Sequence, residues 1–353
     1  MHITGLGTAV PPQCYTQREC WEALQQSARF HQLRPRSRAI LKQVLNGSSG
    51  IATRHLALES LSQAFELTPD VLQARFARNA PLLAAKAAER ALADAGDQPG
   101  EIDALVISTC TGYLCPGLTS YVSEQLGCRP DVLCLDLVGQ GCVAALPNLC
   151  TSEALLTAGR CRRVLSICVE VCSAALYFDD DPGVLISACL FGDGAGAAVL
   201  ASSADGKRPV KWRTSGFLLQ PKGRDLLRFE HKAGMLRNIL TPQVPAIAAQ
   251  HAATVLDQVL ARSGVRRSQV KGWVMHPGGR DVLLALRERL GLSEHDLLWS
   301  AAVLREFGNL SSASVYFVMQ AALGDSAPSG YWWLSSFGAG FSSHGALLEV
   351  GET

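Results

Sequence analysis

The 353-residue chain contains no Cys-x-x-Cys pair, and none of its twelve cysteines lies beyond Cys189. The missing spacing excludes the commonest zinc and dithiol redox arrangements; the closest approaches to a ligand pair are Cys110/Cys115 and Cys168/Cys172. The first residues, Met1-His2-Ile3-Thr4-Gly5, show no basic segment followed by an apolar one, which is the pattern of a secretory signal. A secreted disulfide framework is therefore not expected, and most of the cysteines read as small buried hydrophobes of a cytoplasmic protein. A membrane span is missing too, because the long apolar stretch 132–150 is interrupted by Asp136, Gln140, Pro147 and Asn148. Charge of one sign is scarce: 32 Lys and Arg against 31 Asp and Glu leave a net charge of +1, which argues against nucleic acid as a partner. No short repeat period is evident.

What the chain does contain is apolar sequence, 48% of its residues, enough to exclude a disordered protein. Strand-length apolar runs alternate with helical patterns. Strands are predicted over 105–108, 132–137, 163–169 and 195–200, with a helix over 82–95. After about residue 205 the pattern restarts, with helices over 246–263, 281–290 and 312–323 and strands over 272–276 and 331–335. This alternation predicts α/β layers. The Gly-, Lys-, Arg- and Pro-rich stretch 205–234 is too short and too varied for a flexible linker. It marks the boundary between two related halves of one body, 1–205 and 206–353.

One cysteine has a special setting. Gly139-Gln140-Gly141-Cys142-Val143-Ala144-Ala145 follows a strand directly; two glycines permit a tight turn and the next residues can start a helix. A cysteine at a helix N-terminus is favoured as thiolate, the species that attacks a thioester. Pro147 predicts that the helix is bent or starts late. His276 ends an apolar strand before Pro277-Gly278-Gly279, which predicts exposure to a cleft. Asn309 lies just before a helix, where Ser311 or Ser312 is the better capping residue. A Cys, a His and an Asn at three strand–helix turns make a nucleophile with two helpers.

Gly-Gln-Gly-Cys142, His276-Pro-Gly-Gly and Gly308-Asn309-Leu-Ser-Ser-Ala resemble the Cys–His–Asn motifs of the thiolase superfamily, and most of all the type III polyketide synthases, the chalcone synthase family. The resemblance runs from Gly5-Leu-Gly-Thr-Ala-Val-Pro-Pro to Ser336-Phe-Gly-Ala-Gly-Phe341. His-Pro-Gly-Gly favours this family over the ketoacyl synthase III enzymes, whereas Phe337-Gly-Ala-Gly-Phe341 replaces the family's Gly-Phe-Gly-Pro-Gly loop. The resemblance implies a thiolase-like αβαβα fold, a homodimer, and a cytoplasmic acyltransferase that needs no metal or redox cofactor. It implies Cys142 as the acyl-carrying nucleophile, with His276 and Asn309 donating to the enolate of a decarboxylating malonyl extender, and Phe191 as an apolar gatekeeper. Gly278, Gly279 and Ser311 come with the same motifs as substrate-binding positions. The alternative is a ketoacyl synthase III-like enzyme that condenses once.

Two departures bear on substrate. The basic residues that bind coenzyme A phosphates in plant relatives fall on Leu41, Val44 and Ser48 here. Arg34, Arg36, Arg38 and Lys42 lie nearby, either as a docking face for coenzyme A or an acidic acyl carrier protein or as a solvated helix face. At the cavity positions the resemblance assigns Cys110, Cys115, Ala175 and Met235. Ala175 widens the cavity and Met235 narrows it, which predicts an aliphatic or β-ketoacyl chain and an α-pyrone, resorcinol or phloroglucinol product. Gly192-Asp-Gly194-Ala-Gly196 lacks the acidic residue and βαβ setting of a dinucleotide loop.

Overall fold

The computed structural model describes residues 1–47, 49–203, 209–325 and 327–352, so Ser48 and the 205/206 boundary lie outside the described residues. Nine strands form one sheet. From edge to edge they are Val270–Met275, Gly330–Gly338, Ser342–Val350, Val210–Leu219, His2–Ala9, Gly194–Ala201, Arg163–Glu170, Ala104–Thr109 and Leu133–Val138. One four-strand pattern occurs twice. Ala104–Thr109 is parallel to Arg163–Glu170, which is antiparallel to Gly194–Ala201, itself antiparallel to His2–Ala9. Val270–Met275, Gly330–Gly338, Ser342–Val350 and Val210–Leu219 repeat that order with the same senses. The two sets join only at His2↔Lys211 and Ile3↔Val210.

Period-two alternation makes layers of this sheet. Ala104 and Val106 face a core shared with Leu146, Leu149, Tyr316 and Trp332, while Leu105 and Ile107 face a second core built on the helix Pro69–Ala95. Adjacent Trp332 and Trp333 likewise point into different cores, the latter packing on the helices Val244–Ser263 and Arg280–Leu290. The helices Ala145–Thr157 and Ser314–Gly324 each touch strands of both sets and form the middle layer. The result is the expected αβαβα order. Among the described residues no helix is long and apolar enough to cross a membrane.

The helix anticipated over 82–95 begins at Pro69. Thr68 caps it by accepting from Val71 N, Pro69 occupies the first turn, and Gly96 closes it in the left-handed region. Pro81 lies inside the helix, which continues on both sides because Ala80, Ala84, Ala87, Ala88 and Ala91 are buried against the sheet. That contact is too close for any side chain on the facing strand. A Cβ at Gly7 would stand 2.2 Å from Ala87 O and 2.4 Å from Ala91 N, and one at Gly5 would stand 2.3 Å from Ala91 O. Because the obstructing atoms are backbone, Gly7→Ala is expected to lower stability in chemical denaturation by about 1–3 kcal/mol; an unchanged midpoint would show that the helix can move outward freely.

Candidate active site

Cys142 occupies a single 3₁₀ turn, Gly141–Val143, between the strand Leu133–Val138 and the helix Ala145–Thr157. Gly139 and Gly141 have φ of 83° and 62°, the left-handed region that lets the chain reverse here. The helix starts late, as Pro147 predicted. Proline is its third residue, where the absent N–H has no helical acceptor in any case. The strand Gly330–Gly338 presses on this turn: Ser336 Oγ donates to Cys142 O at 2.9 Å, and a Cβ on Gly338 would stand 2.6 Å from Gln140 O. The preceding residue, Ser335, accepts from His276 N at 2.9 Å. Two consecutive residues of one strand thus hold the backbones of Cys142 and His276.

Hydrogen bonds join the three expected residues through their neighbours. Ser311 Oγ donates to Cys142 Sγ at 3.3 Å, Ser311 N to Asn309 Oδ1 at 2.8 Å, Asn309 Nδ2 to Gly278 O at 3.1 Å, and Gly278 N to His276 O at 3.0 Å. The Asn309 amide is held by its oxygen and by one N–H, which leaves its second N–H for a ligand. Asn309 also bridges to Phe191, and Arg54 Nη1 donates to the carbonyls of Ala188 and Phe191 at 2.9 Å each. His276 is not exposed to a cleft. It is 1% exposed, its ring packs edge-on to Phe337 at 5.3 Å between centroids, and neither ring nitrogen has a hydrogen-bond partner.

The sequence reading missed Glu170. This fully buried carboxylate accepts from Ser312 Oγ at 2.5 Å, Thr111 Oγ1 at 2.9 Å and Cys110 N at 3.0 Å. It also takes longer contacts from Cys110 Sγ at 3.3 Å and Ser311 Oγ at 3.4 Å. The available signal was an acid ending an otherwise apolar strand, Arg163–Glu170, because a buried carboxylate requires partners.

A cavity of about 40 Å³ adjoins Cys142, and its lining includes Cys110, Cys172, Ala175, Phe191 and Ser311. Cys115, Met235, Gly278 and Gly279 do not line it. Cys115 is exposed. Met235 packs against the apolar cluster of Leu56, Leu58 and Leu72, so Asn238, three residues on, takes the wall position. Gly278 has no room for a side chain, since its Cβ would stand 2.7 Å from Phe337 Cζ. The Gly192–Gly196 segment is core rather than loop: Gly194–Ala201 is fully buried, and Asp193 accepts from Ser173 N, Ser173 Oγ and Ala57 N. Of the positions matched to the plant phosphate cluster, Leu41 is fully buried and Val44 half-buried. Arg34 pairs with Asp180 at 3.4 Å and Arg38 lies over Phe30, while Arg36 and Lys42 face solvent.

Burial governs the titration of these groups. The sulfur of Cys142 is enclosed although the residue keeps some exposure, and desolvation pushes it up to about 12; the Ser311 hydrogen bond pulls it down and Glu170 pushes it up. Desolvation also pushes His276 down to about 3 and raises Glu170. Desolvation thus disfavours charge on both groups, which opposes the thiolate that the helix-terminus argument favours.

The same burial links His276 to stability. Its folded value lies below the ordinary 6.5, so the unfolded chain binds the proton more readily. The contribution is complete above pH 6.5 and is lost as pH falls toward 3; His344, pushed down to about 4 by burial, acts in the same direction. Between pH 7 and pH 5 His276 alone is expected to cost up to about 2 kcal/mol. His276→Gln should flatten the fall in melting temperature over that interval, and an equal fall in both proteins would refute the assignment.

The profile of the N-terminal domain of chalcone and stilbene synthases matches residues 1–204, and that of their C-terminal domain matches residues 220–345. A 3,5-dihydroxyphenylacetyl-CoA synthase from Streptomyces toyocaensis is 31% identical over 360 residues, covering 98% of this chain and 89% of that protein. An α-pyrone synthesis polyketide synthase-like protein from Mycobacterium tuberculosis is 28% identical over 365 residues, covering 99% and 91%. The crystal structure of 1,3,6,8-tetrahydroxynaphthalene synthase from Streptomyces coelicolor superposes with a TM-score of 0.90 at 25% identity, over 100% of each chain. On these matches the chain belongs to the chalcone and stilbene synthase family, the type III polyketide synthases, acyltransferases that form carbon–carbon bonds in polyketides.

Proposed function

We propose that Cys142 carries the growing acyl chain and that His276 and Asn309 serve its loading and extension. The observation that carries this reading is the hydrogen-bonded chain from Cys142 through Ser311, Asn309 and Gly278 to the backbone carbonyl of His276, with Cys142 and Ser311 lining a cavity. Neutral His276 takes the thiol proton as Cys142 attacks the carbonyl of an acyl thioester, and the carrier thiol departs with a proton. A malonyl thioester then loses carbon dioxide. Its enolate oxygen accepts hydrogen bonds from the His276 ring and the free N–H of Asn309, while Phe191 keeps water away. The carbanion attacks the acyl–Cys142 thioester, forming the C–C bond and releasing the Cys142 thiolate for the next round. The extended chain closes to an α-pyrone or to a resorcinol- or phloroglucinol-type ring. The reaction needs no resident cofactor.

The thioesters arrive on coenzyme A or on an acyl carrier protein. Buried Leu41 offers no charge to a nucleotide phosphate, whereas Arg36 and Lys42 present exposed cations to either donor. Incubation with malonyl and a panel of acyl groups on both carriers is expected to add the acyl mass to Cys142 and to yield cyclised products. Cys142→Ala should abolish both, and Asn309→Ala should leave loading intact while slowing condensation about 10²–10³-fold. Products that persist in Cys142→Ala would overturn the reading.

We further propose that the chain acts in the cytoplasm as a homodimer joined along the edge strand Leu133–Val138. Its outer edge carries no strand partner among the described residues, and Leu133 and Val138 are 41% and 56% exposed. Light scattering should give twice the chain mass, and Leu133→Lys with Val138→Lys should give the single chain. A monomeric wild type at tens of micromolar would contradict the dimer.

A further inference from the structure

The cavity beside Cys142 measures about 40 Å³. A chain that grows from Cys142 by several ketide units needs more space than this, so the walls that bound the cavity decide how far it extends. Two kinds of wall surround the space. Cys110 and Thr111 follow a strand of the large sheet and Cys142 and Ser311 lead into the middle helices; Cys110, Thr111 and Ser311 bond to Glu170, and Ser311 bonds to Cys142. The opposite side, with Leu227, Arg228, Phe229 and Asn238, belongs to the hairpin of Leu227–Lys232 and Met235–Leu240. That hairpin is a two-stranded ribbon separate from the large sheet, so no sheet ladder fixes its position.

Apolar contacts of Leu227 and Met235 with neighbouring cores and a set of side-chain bonds fix it instead, and the bonds converge on Arg237. Its guanidinium donates through Nε to Asp179 Oδ2 at 2.8 Å and through Nη1 to Glu230 Oε1 at 2.8 Å; Nη2 stands 3.6 Å from Asp181 Oδ2. The side chain of Arg237 is only 11% exposed and lies over the ring of Tyr177, which itself lines the cavity. Lys232 adds a weaker contact to Asp179 at 3.6 Å. One residue further, Ser187 Oγ donates to Asn238 Oδ1 at 3.0 Å inside the cavity wall. Asp181 also caps the helix Pro182–Leu190, which ends at Phe191, so the acids that hold Arg237 belong to the segment leading to the gatekeeper position.

We propose that Arg237 is a specificity-determining residue: by latching the 227–240 hairpin to Asp179 and Asp181 it holds the movable wall of the Cys142 cavity and thereby limits the length of the chain made there. The latch acts on cavity size and not on the reacting atoms, because no Arg237 atom bonds to Cys142, His276 or Asn309. The proposal rests on the reading of Cys142 as the acyl carrier.

The test compares wild type with Arg237→Met, which keeps most of the length and removes the charge, and with Arg237→Lys. Loading of Cys142 from a short acyl thioester is measured by intact mass, and product lengths are read by mass spectrometry. In Arg237→Met, short-donor loading should stay within about twofold of wild type, products should lengthen by at least one extender unit, and KM for a long-chain starter should fall about three- to tenfold. Arg237→Lys should restore much of the wild-type distribution. If Arg237→Met does not fold, Asp179→Ala removes the acceptor of the same bond from the other side and is read in the same way. Wild-type product lengths and starter preference in a folded, loading-competent variant would overturn the latch alone. Failure of the wild type to load Cys142 would overturn the underlying reading and the latch with it.

Discussion

The close contact between the Cys142 turn and the strand Gly330–Gly338 is the constraint on which the rest of the site depends. Gly338 has no Cβ because Gln140 O and Val143 N occupy that space, at 2.6 and 2.7 Å. Ser336 and Ser335 therefore reach the backbones of Cys142 and His276 from neighbouring positions of one strand. The contact brings a turn from the first half of the chain against a strand from the second. It works only because the two strand sets share a middle helical layer, which presents the ends of both sets to the same place.

A second constraint is burial. It raises the Cys142 thiol and lowers the His276 imidazole, and the unpartnered nitrogens of His276 are the cost of that arrangement. Glu170 behaves differently. It is equally buried but saturated by hydroxyl and backbone donors, and it ties Cys110, Thr111, Ser311 and Ser312 into one rigid floor. Because Ser311 touches both this network and Cys142 Sγ, the orientation of the Cys142 side chain is set from the floor of the cavity.

The opposite wall is built on other principles. Its hairpin is a separate two-stranded ribbon, held by apolar contacts of Leu227 and Met235 and by the ion pair of Arg237 with Asp179 rather than by a nine-stranded ladder.

The sequence by itself determined the α/β class, through local apolar periodicity, and placed Cys142, His276 and Asn309 at strand–helix turns whose motifs resemble the type III polyketide synthases. Ser311, Cys110, Ala175 and Phe191 followed from that resemblance, and all four line the cavity. Tertiary structure alone decided how buried His276 is, that Met235 turns away toward Leu56, Leu58 and Leu72, and that Cys115 lies on the surface. It alone assembled the Glu170 network and the Arg237 cluster, whose partners lie 59 to 142 and 7 to 58 residues away in the chain. Periodicity and turn chemistry report on neighbours within a few residues, whereas desolvation and ion pairing depend on which distant segments the folded layers bring together.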